Sequence, residues 1–530
     1  MRAWTPFSLT CLLLAGPAVP QIPGDVVIPV ALSPVFGDHM VLQRDRSLPI
    51  WGTAPAGTEV AVSFGTAGAR AVADANGRFE LTLPAMPMSR EPRTLVARVD
   101  GGGEARIEDV LVGDVWLCSG QSNMAFALHG CDVPEEIDAA NDSLIRYRSY
   151  WEEFAAEPRT EVSGGAWRTL SPATAGDCTA VGYFFARRVR AQVDVPIGIL
   201  TCAVGGTEIE CWMAPEAVRD EPANAGVGAR LDAALDAHQE GLRAALPEVE
   251  SWVRAARSAA DAGQPLPIPP RLPPHPNEDR QNWHRTHALF QGMVHPLLRF
   301  PVRGVLWYQG ENNGHEERTY ADKFRAMVRT WRKRMGADVP FYWVQLTSFG
   351  EPTDDPSGGH GWQSCRMAQL ACLDLPASGM AVTFDRGDAL DIHPKDKADV
   401  GARLALWALA RDYGIEVAPS GPLFRGITPE GRALRVHFEH AERGLRIGDL
   451  PDRAEGEPAA AIPLRGFAIA GEDRRWFWAE ASIDGATVLV RSPHVPAPQA
   501  VRYAFAQNPM GANLYGATGL PASPFRSDDW

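Results

Sequence analysis

The rhythm of apolar and polar positions changes twice along the chain. Between residues 26 and 110, short apolar runs (41–42, 48–51, 60–64, 79–83 and 94–99) alternate with polar positions. Turn signals separate them at Ala56-Gly57, Asn76-Gly77 and Asp100 to Gly103. Short runs of period two between turns predict a small β-sandwich-like module. From 111 to 415 the runs become continuously apolar (110–117, 197–204, 302–308, 341–346 and 380–384). They alternate with stretches of helical period at 181–193, 319–335, 363–373 and 395–413. A strand covered on both sides reads as an unbroken apolar run, so this order predicts an α/β domain with a parallel sheet between helices. Residues 217–300 read as a helical insertion with a proline-rich surface loop at 263–276. Between 420 and 530 the β-like alternation returns (434–438, 445–447, 467–469, 476–478, 486–490 and 501–505), predicting a second β-rich module.

The composition narrows the classes. With 530 residues, 45% hydrophobic and 22% charged, the chain is an ordinary globular one, long enough for several domains. Its formal net charge of -14 argues against nucleic acid or an anionic membrane as the main partner, since both reward clustered Lys and Arg. Residues 1–18 read as a signal peptide: Arg2, an apolar run at 7–15, then Gly16-Pro17-Ala18 for cleavage. That predicts a secreted or periplasmic protein. No later apolar stretch is long enough to span a membrane. Of 8 cysteines, Cys11 would leave with the signal. Among those left, Cys202/Cys211 and Cys131/Cys178 are candidate disulfides, with an odd thiol over. No His/Cys spacing suits a structural metal, and we expect neither metal nor cofactor.

Candidate chemistry gathers at the ends of the apolar runs. The run 110–117 breaks into Ser119-Gly-Gln-Ser-Asn-Met124, which places Ser122 in a turn at the carboxyl end of a strand. Open α/β sheets put their sites there. Ser122 is a candidate nucleophile, or a turn-capping residue. The run 197–204 ends in Gly205-Gly-Thr207, where a backbone N–H can approach a ligand closely, followed by Trp212. The run 302–308 ends in Gln309-Gly-Glu-Asn-Asn313, whose amides can donate to an oxyanion. Glu311 is a candidate acid or a supporting hydrogen-bond partner. The fourth stretch, Asp385 to Pro394, holds His393 in a carboxylate-rich loop, with Asp391 able to orient its ring.

Together Gly120-Gln-Ser-Asn-Met124, Gly205-Gly-Thr207, Trp307-Tyr-Gln-Gly-Glu311 and Asp391-Ile-His-Pro394 resemble the four blocks of the sialate O-acetylesterase branch of the SGNH hydrolases. Related acetyl xylan esterases share these blocks. The resemblance extends to Leu32-Ser-Pro-Val-Phe36, His39-Met-Val-Leu-Gln-Arg44, 282–297, Arg366-Met-Ala-Gln369 and Leu520-Pro-Ala-Ser-Pro-Phe525. It implies a flavodoxin-like three-layer α/β/α hydrolase domain flanked by β modules. It further implies Ser122 as nucleophile and His393 as base and acid, with an oxyanion hole of the Ser122 N–H, a backbone N–H of Gly205 or Gly206, and the Gln309 side chain. Asn312 is the alternative to Gln309, because Asn commonly fills that block in the wider superfamily. The superfamily also places Asp three residues before His, where this chain has Leu390. Asp391 is two before, leaving Asp388, a backbone carbonyl or a bare Ser-His dyad as alternatives.

The implied reaction is removal of O-acetyl groups from sugars through an acetyl-serine intermediate, with activity falling as acidification protonates His393. Trp212, Trp307, Tyr308 and Trp362 are candidate sugar-facing aromatics, and Arg366 a candidate partner for a sialate carboxylate. Acetylated xylan or another polysaccharide is the alternative substrate. A non-catalytic carbohydrate-binding protein on a hydrolase scaffold is the alternative of another class.

Overall fold

One strand, Gly103–Gly120, serves two sheets. Its first half pairs antiparallel with Ser89–Val99. Its second half lies between Ile197–Ala203 and Gly304–Tyr308, parallel to both. The burial pattern records the change: mixed up to Asp109, then buried at every position from Val110 onward. Residue 110, where the sequence changes rhythm, therefore lies inside a continuous strand. The computed structural model describes residues 29–100, 103–278, 285–448, 463–509 and 511–530. The expected signal segment, 1–18, lies outside them.

The parallel strands run in the order Ile145–Ser149, Ile197–Ala203, Gly103–Gly120, Gly304–Tyr308, Phe341–Val344, Ser378–Ala381. The short Arg168–Thr169 strand adds antiparallel at one edge. Helices cover both sides of this mixed α/β sheet. Trp116 packs edge-on against Phe185 of the helix Ala180–Arg190, with ring centroids 4.8 Å apart. Trp407 of the helix Lys397–Arg411 lies over Gly379 beside it. Trp307 meets Phe324 and Trp331 of Arg318–Met335 instead. Trp307 stands in register with Ser119, three positions past Trp116, and an odd offset along a strand means the opposite face.

Ile145–Ser149 gave no apolar run because two of its five residues are arginines, Arg146 and Arg148. Both are buried. Arg148 donates to the carbonyls of Pro34, Val35 and Gly164, and Arg146 to Asp109, Thr169 and Ser143. The terminal nitrogens of each guanidinium meet fixed acceptors, which is what lets a cation occupy a strand interior, although Arg148 Nε finds none among the described residues.

Upstream, Ala31–Leu32, Leu48–Thr53 and Arg78–Leu83 make a three-stranded sheet. Glu59–Phe64, Ala67–Val72 and Ser89–Val99 form the antiparallel sheet on the first half of Gly103–Gly120, and that strand joins it to the parallel one. Downstream, two four-stranded sheets meet at Phe525, which stacks on Phe424 at 4.3 Å and meets Phe438 edge-on at 5.9 Å. Between 217 and 300 a helix of 37 residues, Ala225–Asp261, dominates, with Pro247 inside it. The seven described cysteines are all buried and free, so neither Cys202/Cys211 nor Cys131/Cys178 is bridged. They pack as small apolar groups, and burial pushes the Cys118 and Cys202 thiols up.

The C-terminal segment is wired into the domain core. Arg366, fully buried in the helix Gln363–Ala371, donates to Leu346 O (2.8 Å), Thr347 O (2.5 Å), Ala506 O (2.6 Å) and Gln507 O (2.8 Å). Gln345 donates to Ser523 Oγ at 3.0 Å. Burial draws the Arg366 guanidinium down to about 10.

Two stability outcomes follow from this architecture. Gly120 has φ +133°, and a Cβ there would lie 2.1 Å from Tyr308 O. We expect Gly120→Ala to cost roughly 2–5 kcal/mol, read from the urea unfolding midpoint. An unchanged midpoint would contradict the close approach. Arg366→Ala strands four carbonyls and should cost at least about 3 kcal/mol by the same measurement.

Candidate active site

Ser122 opens a one-turn helix, Ser122–Ala125, directly after the central strand. The turn is compelled by the backbone before it. Gly120 takes a conformation open to glycine, Gln121 is extended, and the Gln121 N–H donates to Tyr308 O at 2.9 Å. Ser122 thus stands half-buried at the carboxyl end of the middle strand. Gly205 ends the neighbouring strand's turn beside it: a Cβ on Gly205 would lie 3.3 Å from Ser122 Cβ. With no side chain there, backbone lines the space next to the serine. Gly206 follows at φ +68°, and its carbonyl accepts from Asn312 Nδ2 at 2.8 Å. The first three sequence blocks therefore converge.

Gln309 does not offer its amide to Ser122. It is buried, with Nε2 donating to Thr207 O (3.1 Å) and Asn313 Oδ1 (2.8 Å), while Oε1 accepts from Tyr320 (2.9 Å). Both amide hydrogens are committed, so the expected oxyanion donor is here a brace under the Gly205-Gly-Thr207 turn. Asn313 continues that brace, accepting from Ile209 N and donating to Glu210 and Glu316. Lys323 neutralises both carboxylates.

Asn123, buried next to Ser122, joins the remaining two blocks. Its Nδ2 donates to Glu311 Oε1 at 2.6 Å and to Ile392 O at 3.1 Å, and its Oδ1 accepts from Lys397 Nζ at 2.7 Å. The Ile392 bond draws the loop carrying His393 against the serine turn. Phe126 adds to this, its ring stacking on His393 with centroids 6.1 Å apart. Glu311 is thus a hydrogen-bond partner of Asn123, and burial raises its carboxyl above the ordinary range. Lys397 is buried too, and burial pulls its ammonium down to about 8.

The carboxylates around His393 shape its loop. Asp388 Oδ1 accepts from Leu390 N and Asp391 N. Asp391 Oδ1 accepts from His393 N at 2.8 Å and lies 3.8 Å from His393 Nδ1. That separation permits an ion pair but exceeds a hydrogen bond. Leu390, where the resemblance leads one to expect Asp, is 86% exposed.

Two expected substrate contacts are corrected. Trp212 is fully buried; its indole N–H bonds Thr207 Oγ1 and its ring meets Trp307. Arg366 is consumed by the four carbonyls described above. Trp307 and Tyr308 are also buried, and Trp362 stacks on Phe349. These aromatics pack the core because they lie on the strands and helices themselves. Asn123 and Lys397 escaped sequence reading: the first looked like a turn residue, the second like the polar start of a helix. Trp151 escaped as well. It lies just past Ile145–Ser149 on the same sheet edge and is 70% exposed. The indole rests on Gly164, where a Cβ would lie 2.0 Å from the ring. Among the described residues no group of three or more His, Cys, Asp or Glu is placed to hold a metal ion, and no helix is long and apolar enough to cross a membrane.

A family profile described as carbohydrate esterase, sialic acid-specific acetylesterase, matches residues 112–236 and 278–409. Those two segments hold Ser122, Gly205, Gln309 and His393 and skip most of the long helix and the proline-rich loop. Sialate O-acetylesterase of Rattus norvegicus is 31% identical over 339 residues, 58% of this chain and 58% of that protein. The Mus musculus sialate O-acetylesterase is 28% identical over 419 residues, covering 71% of this chain and 72% of the relative. The chain thus spans little more than half the length of the rat protein. A carbohydrate acetylesterase of Xanthomonas citri, known from its crystal structure, is 36% identical with a TM-score of 0.75, over 94% of this chain and 100% of that one. The chain belongs to the carbohydrate esterases of the sialic acid-specific acetylesterase family.

Proposed function

We propose that this protein is a secreted serine esterase that removes O-acetyl groups from sugars, with O-acetylated sialic acid as its substrate. The observation that carries the reading is the single Asn123 side chain, which ties the turn of Ser122 to the loop of His393 while Gly205 lies against Ser122. Three separate strand ends meet there. The sialate assignment is supported by the family description and by the names of the mammalian relatives. Helices on both faces of the sheet support an SGNH-type α/β/α domain over 111–415, with β modules at 26–110 and 420–530. Residues 1–18 support export.

In this reading His393 takes the proton of Ser122 as the hydroxyl attacks the ester carbonyl. The oxyanion is met by the Ser122 N–H and a backbone N–H of Gly205 or Gly206, with Gln309 holding the turn that carries them. Each such donor contributes on the order of 10²–10³ in rate. His393 then protonates the sugar oxygen as its bond to the acyl carbon breaks, releasing the hydroxyl, and water hydrolyses the acetyl-serine by the reverse route. Asp391 acts on the imidazolium through charge at 3.8 Å, without a hydrogen bond. Trp151 replaces Trp212 as the sugar-facing aromatic. The strand it follows stands two places from the strand that ends before Ser122, about 10 Å across the sheet, and the sugar whose acetyl ester is attacked by Ser122 extends across that gap towards the indole.

Acetate release from O-acetylated sialic acid and from acetylated xylan, measured side by side, tests the assignment. Sialate turnover should dominate, and Ser122→Ala should lower it by at least about 10³-fold. Faster release from xylan would move the substrate to the polysaccharide class. Turnover of 4-nitrophenyl acetate that survives in Ser122→Ala would end the serine mechanism. For Trp151→Ala we expect KM to rise several-fold on the acetylated sugar and to stay level on 4-nitrophenyl acetate; equal effects on both would remove Trp151 from sugar recognition.

A further inference from the structure

The two peptide carbonyls that flank His393 are gripped by two buried side chains bonded to each other. Ile392 O accepts from Asn123 Nδ2 at 3.1 Å, and Pro394 O accepts from Lys397 Nζ. Lys397 Nζ also donates to Asn123 Oδ1 at 2.7 Å. Glu311 Oε1 takes the other hydrogen bond of Asn123 Nδ2, at 2.6 Å. The Asn123 amide is therefore fixed in one orientation: reversed, it would set its oxygen against two acceptors and its nitrogen against an ammonium.

The surroundings make this arrangement stiff. The Lys397 ammonium lies 4.9 Å from the centroid of Phe126 and 6.0 Å from that of Tyr308, and Phe126 is the ring that stacks on His393. Glu311 Oε2 is buried and has no hydrogen-bond partner among the described residues, so that carboxyl is kept in place without solvent. A buried cation and a buried carboxyl are costly and persist where specific partners hold them. Their partner here is the residue adjoining the serine. By contrast, Asp391 is half-exposed and spends its Oδ1 on the backbone of His393.

We propose that Lys397 and Glu311 are positioning residues, which through Asn123 set the backbone of His393 against Ser122 and do the orienting work otherwise assigned to Asp391. The proposal rests on Ser122 and His393 being nucleophile and base. A shift of about 1 Å between the two would cost on the order of 10²-fold in rate, and the clamp is what opposes such a shift.

The test uses the full chain and 4-nitrophenyl acetate, with kcat normalised to the acetyl-enzyme burst. Lys397→Met keeps the volume of the stem and loses both donors; we expect kcat to fall about 30–100-fold with KM within about 2-fold. Glu311→Ala should fall in the same way, while Glu311→Gln, which keeps an acceptor oxygen for Asn123, should recover most of the rate. Asp391→Asn should cost less than about 5-fold, since its loop bonds survive. A part that only stabilised the fold would lower the urea midpoint and leave normalised kcat alone. Unchanged normalised kcat in Lys397→Met or Glu311→Ala overturns the proposal, as does an Asp391→Asn as inactive as His393→Ala. Should Lys397→Met fail to fold, the Glu311 pair and Asp391→Asn decide the matter. Activity persisting in Ser122→Ala and His393→Ala would instead defeat the nucleophile and base assignment itself.

Discussion

A strand that must satisfy two sheets at once constrains everything at this site. Gly103–Gly120 cannot slide in either direction, because its first half is registered against an antiparallel partner and its second half against two parallel ones. A slip of one residue would turn every side chain to the wrong face of both. The position of Gly120 is fixed by that double register, and Gly120 fixes the turn that starts at Gln121. The neighbouring strand ends at the Gly205 turn for the same reason. The serine's location is thus a consequence of sheet pairing over nearly twenty residues, much more than of its local motif.

A second theme is the use of long cationic side chains as carbonyl clamps. Arg148 holds the segment around Pro34, Arg332 joins Val339 O to Ala377 O, Arg403 reaches Val382 O as well as Asp385, and Arg366 holds four carbonyls at once. Lys397 does the same beside His393. Loops between strands and helices carry carbonyls that no ladder satisfies, and burying them is costly. A planar guanidinium with five donors meets several of them together. Several loop positions here are pinned by charge-assisted hydrogen bonds in addition to apolar packing.

Much of this was readable from the sequence, and the failures have identifiable causes. The continuous apolar runs marked five of the six strands from Ile145–Ser149 to Ser378–Ala381, because their hydrophobicity is unbroken. Ile145–Ser149 was invisible, since Arg146 and Arg148 are buried by partners far away in the chain, and pattern reading cannot see a partner. The Ser122 turn and the Gly-Gly turn were legible from composition at strand ends. Gln309 was legible as a site residue and misread in its direction, because a motif names a side chain without saying where its hydrogens go. Trp212 and Arg366 show the same limit: an aromatic ring and a guanidinium suit a sugar acid, yet both are used inside. Trp151 and Lys397 carried no local signal at all.

The bonds from Gln345 to Ser523 and from Arg366 to Ala506 cross 178 and 140 residues of chain. A chain made from its amino end presents the sheet long before the segment that completes it. Until residues 506–523 emerge, the guanidinium of Arg366 lacks two of its four acceptors and Gln345 lacks its serine. Closure of this core therefore depends on contacts of very long sequence separation, the kind whose loop-closure entropy is met last.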